Sequence, residues 1–81
     1  MLAPSKADCI TILRAANRLS NAAMLPLDAN SLGLSRNGME TAASFLIERD
    51  CFVRHDRDPG HYAVGPLSLQ GRLRLDQLIN G

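Results

Sequence analysis

The side chains best suited to chemistry gather between positions 51 and 61: Cys51, His55, Asp56, Asp58 and His61. All are metal-ligating types. A zinc site needs four such groups converging on a tetrahedron. Strand alternation would put Cys51 and His55 on one face, but four residues of extended chain hold them roughly 13 Å apart. A hairpin tip could gather His55, Asp56 and His61, yet the expectation is no metal and no cofactor. A Ser-His-Asp set can also be drawn from the chain. Neither a nucleophile turn nor a cradle of glycines accompanies it. With 81 residues the chain is too short to wall off a cleft. The sequence therefore predicts a protein that binds a partner, not an enzyme.

The elements that position these residues form one domain, residues 1–81, and the length allows no more. A chain beginning at Met1 is expected to be a whole small protein. Its core must be aliphatic, because Phe45, Phe52 and Tyr62 are the only aromatics. No apolar run approaches the roughly 20 residues that span a bilayer, and the N-terminus lacks the pattern of a signal peptide. Cys9 and Cys51 sit far apart among apolar neighbours. They read as buried thiols of a reducing compartment, which gives a cytoplasmic expectation. The net charge of +1 is nearly neutral, and nucleic-acid affinity draws on basic residues, so any such role must rest on local charge.

Ser5 is a suitable N-cap for a first helix, with Asp8 three residues on. Cys9, Leu13, Ala16 and Ser20 share a face, and the helix should fade near Ser20-Asn21. A short second helix is expected from Pro26 to Leu32, with Asp28 capping a shorter piece as the alternative. Gly33 should end it in a left-handed conformation. Ser35 caps a third helix, from about Arg36 to Asp50, whose Met39, Ala42, Ala43, Leu46 and Ile47 follow core spacing. Gly38 leaves bare backbone in its first turn, open to a close approach. Cys51–His55 reads as a strand, Arg57-Asp58-Pro59-Gly60 as a turn, and His61–Val64 as the returning strand. Ser68 caps a last helix carrying Leu69, Leu73, Leu75, Leu78 and Ile79.

This order resembles the winged helix-turn-helix superfamily of small bacterial and phage regulators: mainly α, with a small β-hairpin as the wing. The match lies in Leu32-Gly33-Leu34-Ser35, then Met39, Leu46 and Cys51-Phe52-Val53, with Tyr62-Ala63-Val64 and Gly71 resembling the family's closing stretch. It covers roughly residues 24–78. Two positions depart from the pattern. Cys51 stands where the family usually ends its helix in glycine, and Asp28 precedes Ala29 where an apolar residue is usual.

The resemblance implies a sequence-specific DNA-binding regulator. Ser35, Arg36, Asn37, Glu40, Thr41 and Ser44 would then face the major groove, with Arg36 suited to guanine and Asn37 to adenine. On the wing, Arg54, His55, Arg57 and His61 would meet phosphates or the minor groove, although Asp50, Asp56 and Asp58 offset their field. The last helix carries two apolar stripes, which suggests a symmetric dimer through Leu75, Leu78 and Ile79. The alternative is an adaptor or inhibitor that uses the same fold to bind a protein, motivated by the near-neutral charge, by Glu40 and Glu48 on the exposed face of the third helix and by the surplus apolar surface. A contiguous basic surface joining Arg36, Arg54 and Arg57 would favour DNA, and a mixed or apolar one would favour protein.

Overall fold

The computed structural model describes residues 3–58 and 60–81. Its elements run α1 (Lys6–Asn17), β1 (Leu25–Pro26), α2 (Ala29–Leu32), α3 (Arg36–Glu48), β2 (His55–Asp58), β3 (His61–Val64) and α4 (Leu69–Asn80). The fold is a helical layer joined to a small antiparallel sheet of three strands in the order β1-β3-β2.

Each of the longer helices begins at a serine cap. The Oγ atoms of Ser5, Ser35 and Ser68 accept from the backbone N–H groups of Asp8, Gly38 and Gly71, satisfying donors that lack a partner inside the helix. Behind the caps, the apolar spacing decides the buried face. Met39, Ala42, Ala43, Leu46 and Ile47 of α3 pack with Cys9, Ile12, Leu13 and Ala16 of α1, and Phe52, Val64, Leu67 and Leu75 close the core. Helix α1 stops at Asn17, short of the expected Ser20, and Ser20 lies exposed beyond it.

The region after α1 differs from the sequence expectation. Pro26 does not start a helix. Leu25–Pro26 pairs with β3, with Leu25 opposite Val64 and Pro26 opposite Ala63. A proline lacks a ladder donor, and β1 is an edge strand, so the sheet tolerates it. The helix begins only at Ala29 because Asp28 caps it, accepting from the Ser31 N–H at 3.1 Å and the Ser31 hydroxyl at 2.7 Å. This is the shorter piece that the sequence allowed. Gly33 ends it with φ at +71°, the left-handed turn expected.

The hairpin is also shifted. Helix α3 ends at Glu48, and the chain leaves it through a left-handed Asp50 with φ at +56°. Cys51 and Phe52 then turn into the core, where Phe52 makes an isolated antiparallel bridge with Leu67 in place of a continuous strand. The ladder forms further on, from His55 opposite Val64 to Asp58 opposite His61. Arg57 and Asp58, expected in the turn, are therefore strand residues. Backbone pairing outweighs the polarity of His55–Asp58, whose side chains all stay in solvent. Pro59, part of the expected turn, lies outside the described residues.

Helix α4 corrects the expected dimer stripe. Leu75 is buried in the chain's own core and Leu78 packs against that core, because this stripe is the one that meets α1. Ile79 is 45% exposed, and the largest apolar exposures on α4 are Leu69 at 72% and Leu73 at 50%. The surplus surface thus lies on the outer stripe. Among the described residues, no helix is long and apolar enough to cross a membrane.

Candidate functional site

The outer face of α3 collects most of the residues singled out from sequence. Ser35, Arg36, Asn37 and Thr41 are exposed there, and Glu40 and Ser44 are half-buried. The hairpin lies beside this face. A Cβ built on Gly60 would come within 3.8 Å of Arg36 Nη2, so the hairpin tip adjoins the start of α3. Further along, the Ser44 hydroxyl and the Tyr62 hydroxyl are 3.3 Å apart, a hydrogen bond that fastens β3 to the middle of the helix.

Two ion pairs cross the face. Arg36 Nε meets Glu40 Oε2 at 3.3 Å, and Arg57 Nη1 meets Glu48 Oε1 at 3.6 Å. Both are open to solvent, and exposed pairs of this kind contribute roughly 0–1 kcal/mol. They hold the arginines loosely. They also make the surface mixed in sign, since each cation lies against a carboxylate of α3 itself.

Not every expected residue joins this group. Arg54 turns away and donates through Nη2 to the Asn21 carbonyl, in the connection after α1. His55 is exposed but stands opposite Val64, at the end of the ladder farthest from the tip. The backbone of Arg54 stays with the hairpin, its carbonyl accepting from the Gly65 N–H at 2.8 Å, but its side chain leaves for the Asn21 carbonyl. A contiguous basic surface joining Arg36, Arg54 and Arg57 is therefore absent among the described residues.

Two contributors escaped the sequence reading, Tyr62 and Asp8, and Glu48 was legible only as an outer-face carboxylate of α3. Tyr62 belongs to the site through Ser44. Glu48 belongs through Arg57. Asp8 reaches over from α1 to Gly38, where a Cβ would lie 2.6 Å from its Oδ2. The bare backbone of Gly38 signalled a close approach, but nothing in the sequence named the α1 carboxylate as the visitor. Asp8 lies at the N-terminal turn of α3, where a negative charge is favoured by the helix dipole.

Between the face of α3 and the hairpin runs an open groove of about 520 Å³. Thr41, Ser44 and Phe45 line it from α3, Arg57 and Tyr62 from the hairpin, and Pro4 from the N-terminal segment. Aromatic and apolar surface is thus interleaved with charge. Among the described residues no three His, Cys, Asp or Glu side chains converge as a metal site would require. Near the site, Asp28 is held below the usual carboxylate range by the Ser31 hydroxyl and N–H.

The chain matches no protein-family model, no curated protein and no solved structure.

Proposed function

We propose that this protein binds double-stranded DNA as a winged helix-turn-helix module and acts as a small transcriptional regulator in the cytoplasm. The observation that carries the reading is the approach of Arg36, exposed beside Asn37 at the start of α3, to the hairpin tip at Gly60. The pairing of β1 with β3 supports it, because that strand ties the segment before α2 to the hairpin that flanks α3. In this arrangement the first turn of α3 enters the major groove. Arg36 reads guanine, Asn37 reads adenine, and Glu40 accepts from cytosine. Thr41 contacts a base or phosphate and Arg57 a phosphate.

Magnitudes favour the necessary rearrangement. Opening the Arg36–Glu40 pair costs at most about 1 kcal/mol, and a paired arginine contact to guanine contributes about 1–3 kcal/mol of discrimination. The test is a fluorescence titration against duplexes from the flanks of its own gene, with a scrambled duplex as control and a salt series. Tight, sequence-dependent binding that weakens steeply with salt, and that is lost in Arg36→Ala/Asn37→Ala, supports the regulator. Equal affinity of the double variant removes this readout.

The reading employs two copies, joined through the outer stripe of α4. An antiparallel pairing about a two-fold axis sets Leu69 of each copy against Leu73 of the other, with Arg72 and Asp76 on the flank of the seam. Both charged residues are exposed, and neither makes an ion pair among the described residues. Sedimentation should give a dimer that Leu69→Glu/Leu73→Glu dissociates. A wild-type monomer at high concentration removes the two-copy arrangement.

One observation favours a second reading, an adaptor that docks on a protein. Glu40 and Glu48 occupy the face that would meet phosphate, and Phe45 and Tyr62 add aromatic surface to the groove. Flat titrations with both duplexes at low salt would make this the better account.

A further inference from the structure

Two arginines meet at the far end of α3 with no carboxylate between them. Arg49, which closes α3, lays its guanidinium over Phe45, with Cζ 3.6 Å from the ring centroid. Arg74 of α4 brings its own Cζ to 5.9 Å from the same centroid. Both lie within cation–π range. One ring is a weak counterweight to two positive charges, and the ion pairs among the described residues, Arg36–Glu40 and Arg57–Glu48, involve neither arginine.

A separate cavity of about 160 Å³ opens beside them, lined by Arg49, Cys51, Gln70, Leu73, Arg74 and Gln77. This lining contains no acidic group. Each guanidinium offers a fork of N–H donors, and each glutamine amide can turn its NH₂ inward. The volume equals that of about five waters. It suits one small anion with some residual water and is too small for a nucleoside.

We propose that this pocket binds a phosphate group, free or carried at the end of a small molecule, between Arg49 and Arg74 with the Gln70 and Gln77 amides as further donors. The donor set argues for phosphate over carboxylate. Two forks and two amides approach from different sides, which suits a tetrahedral group with three or four acceptor oxygens better than a planar group with two. The positive field reaches the pocket floor: both guanidiniums act to lower the Cys51 thiol against the stronger effect of its burial. The site stands apart from the DNA-reading end proposed above. Arg36 and Arg49 are 13 positions apart along one helix, roughly 20 Å at 1.5 Å per residue. Its outcome is therefore separable from the Arg36 and Asn37 readout, although Arg49 also borders the groove beside α3 and Leu73 also belongs to the outer stripe of α4.

The experiment is a titration of the ¹⁵N-labelled full chain with inorganic phosphate at constant ionic strength, balanced with chloride. Saturable shifts of the Gln70 and Gln77 side-chain amides are expected. Arg74→Gln and Arg49→Gln should each weaken binding by about tenfold or more, since a charge-assisted hydrogen bond is lost. Arg14→Gln, on α1, should leave it unchanged. Arg49 lies at the surface, so its variant decides the matter if Arg74→Gln fails to fold. Glycerol phosphate binding more tightly than inorganic phosphate would identify a small-molecule source, and weaker binding would identify the free ion. Non-saturable shifts, equal affinity in Arg49→Gln, or equally strong binding of acetate would each overturn the proposal.

Discussion

Gly71 of α4 rests against the carbonyl group of Cys51, and a Cβ at position 71 would collide with that oxygen and stand 3.0 Å from the carbonyl carbon. The same carbonyl accepts from the Ser68 N–H at 2.9 Å, and the Ser68 hydroxyl donates to the carbonyl of Asp50. The exit of α3 and the entry of α4 thus form one tightly bonded junction. It fixes where the hairpin departs and, with it, how β3 lies on the face of α3.

Gly71→Ala should therefore cost more than an ordinary helix substitution. A methyl group forced against backbone cannot be relieved by a rotamer change, and overpacking of this kind costs typically 1–3 kcal/mol. Gly33→Ala makes the useful comparison. Its φ is +71° but a Cβ there meets nothing within 4 Å, so only left-handed backbone strain of about 1–2 kcal/mol applies. Urea denaturation of the two variants should show a larger loss at Gly71. A loss below about 0.5 kcal/mol there would mean that α4 is not seated so closely.

Asp50 presents the opposite case. It is the only non-glycine residue with positive φ among the described residues, at +56°. Aspartate tolerates this conformation better than most residues but still at some cost. Asp50→Gly should stabilise the protein by about 0.5–1 kcal/mol, offset slightly by the greater freedom of glycine when unfolded. Thermal melting would register this as a rise of a few degrees. A fall would show that the Asp50 side chain contributes something its exposed position does not suggest.

The same residue illustrates what the sequence could and could not reveal. Serine caps and core spacing are local, and they made α1, α3 and α4 legible together with the left-handed Gly33. Cys51 stands where the resembled family ends its helix in glycine, and the left-handed residue is one earlier, at Asp50. The β-forming residues of Cys51–His55 predict the strand, yet Cys51 and Phe52 are drawn into the core, where Phe52 keeps only a bridge to Leu67, and the polar His55–Asp58 forms the ladder. Six helix-face candidates and Arg57 gather at the site because a single helix and its neighbouring hairpin supply them. Arg54 was lost because its side chain leaves for the Asn21 carbonyl. Tyr62 and Asp8 as site residues, and the partner of the outer-face Glu48, were invisible because these roles depend on contacts between distant segments, which no spacing encodes.

The two ion pairs on α3 yield a prediction about affinity. If Arg36 and Arg57 contact DNA, Glu40 and Glu48 compete with phosphate for them and add repulsion of their own. Glu48→Gln should raise affinity for duplex DNA about 2–10-fold at low salt. It should also steepen the dependence on salt, since one more cation then releases counterions from the backbone. Glu40→Gln should do the same for affinity while relaxing preference at one base position, because its carboxylate is the proposed acceptor from cytosine. Titrations of both variants over a salt series would measure this. Unchanged affinity and slope in Glu48→Gln would exclude Arg57 from the phosphate contacts.

The buried thiols supply a prediction with a definite sign. Burial raises the pKa of Cys9 most, and the charges of Asp8 and Cys51 raise it further. Burial also raises Cys51, against the lowering effect of Arg74 and Arg49. Both thiols therefore keep their protons to higher pH in the folded chain than in the unfolded one, whose thiols titrate near about 8.5. Below that value neither state gains or loses protons at these positions, and the contribution to stability is fully present. As pH rises through the unfolded pKa and towards the folded one, the unfolded state alone ionises and stability falls. The urea midpoint should hardly change between about pH 6 and 8 on this account and should drop above about pH 9. The same protonation should make both thiols slow to alkylate in the native protein and fast in denaturant, because the thiolate is the nucleophile. Iodoacetamide labelling followed by mass spectrometry tests both positions at once. Native labelling at pH 8 as fast as that of an unstructured thiol would mean that α1 and the exit of α3 open readily to solvent.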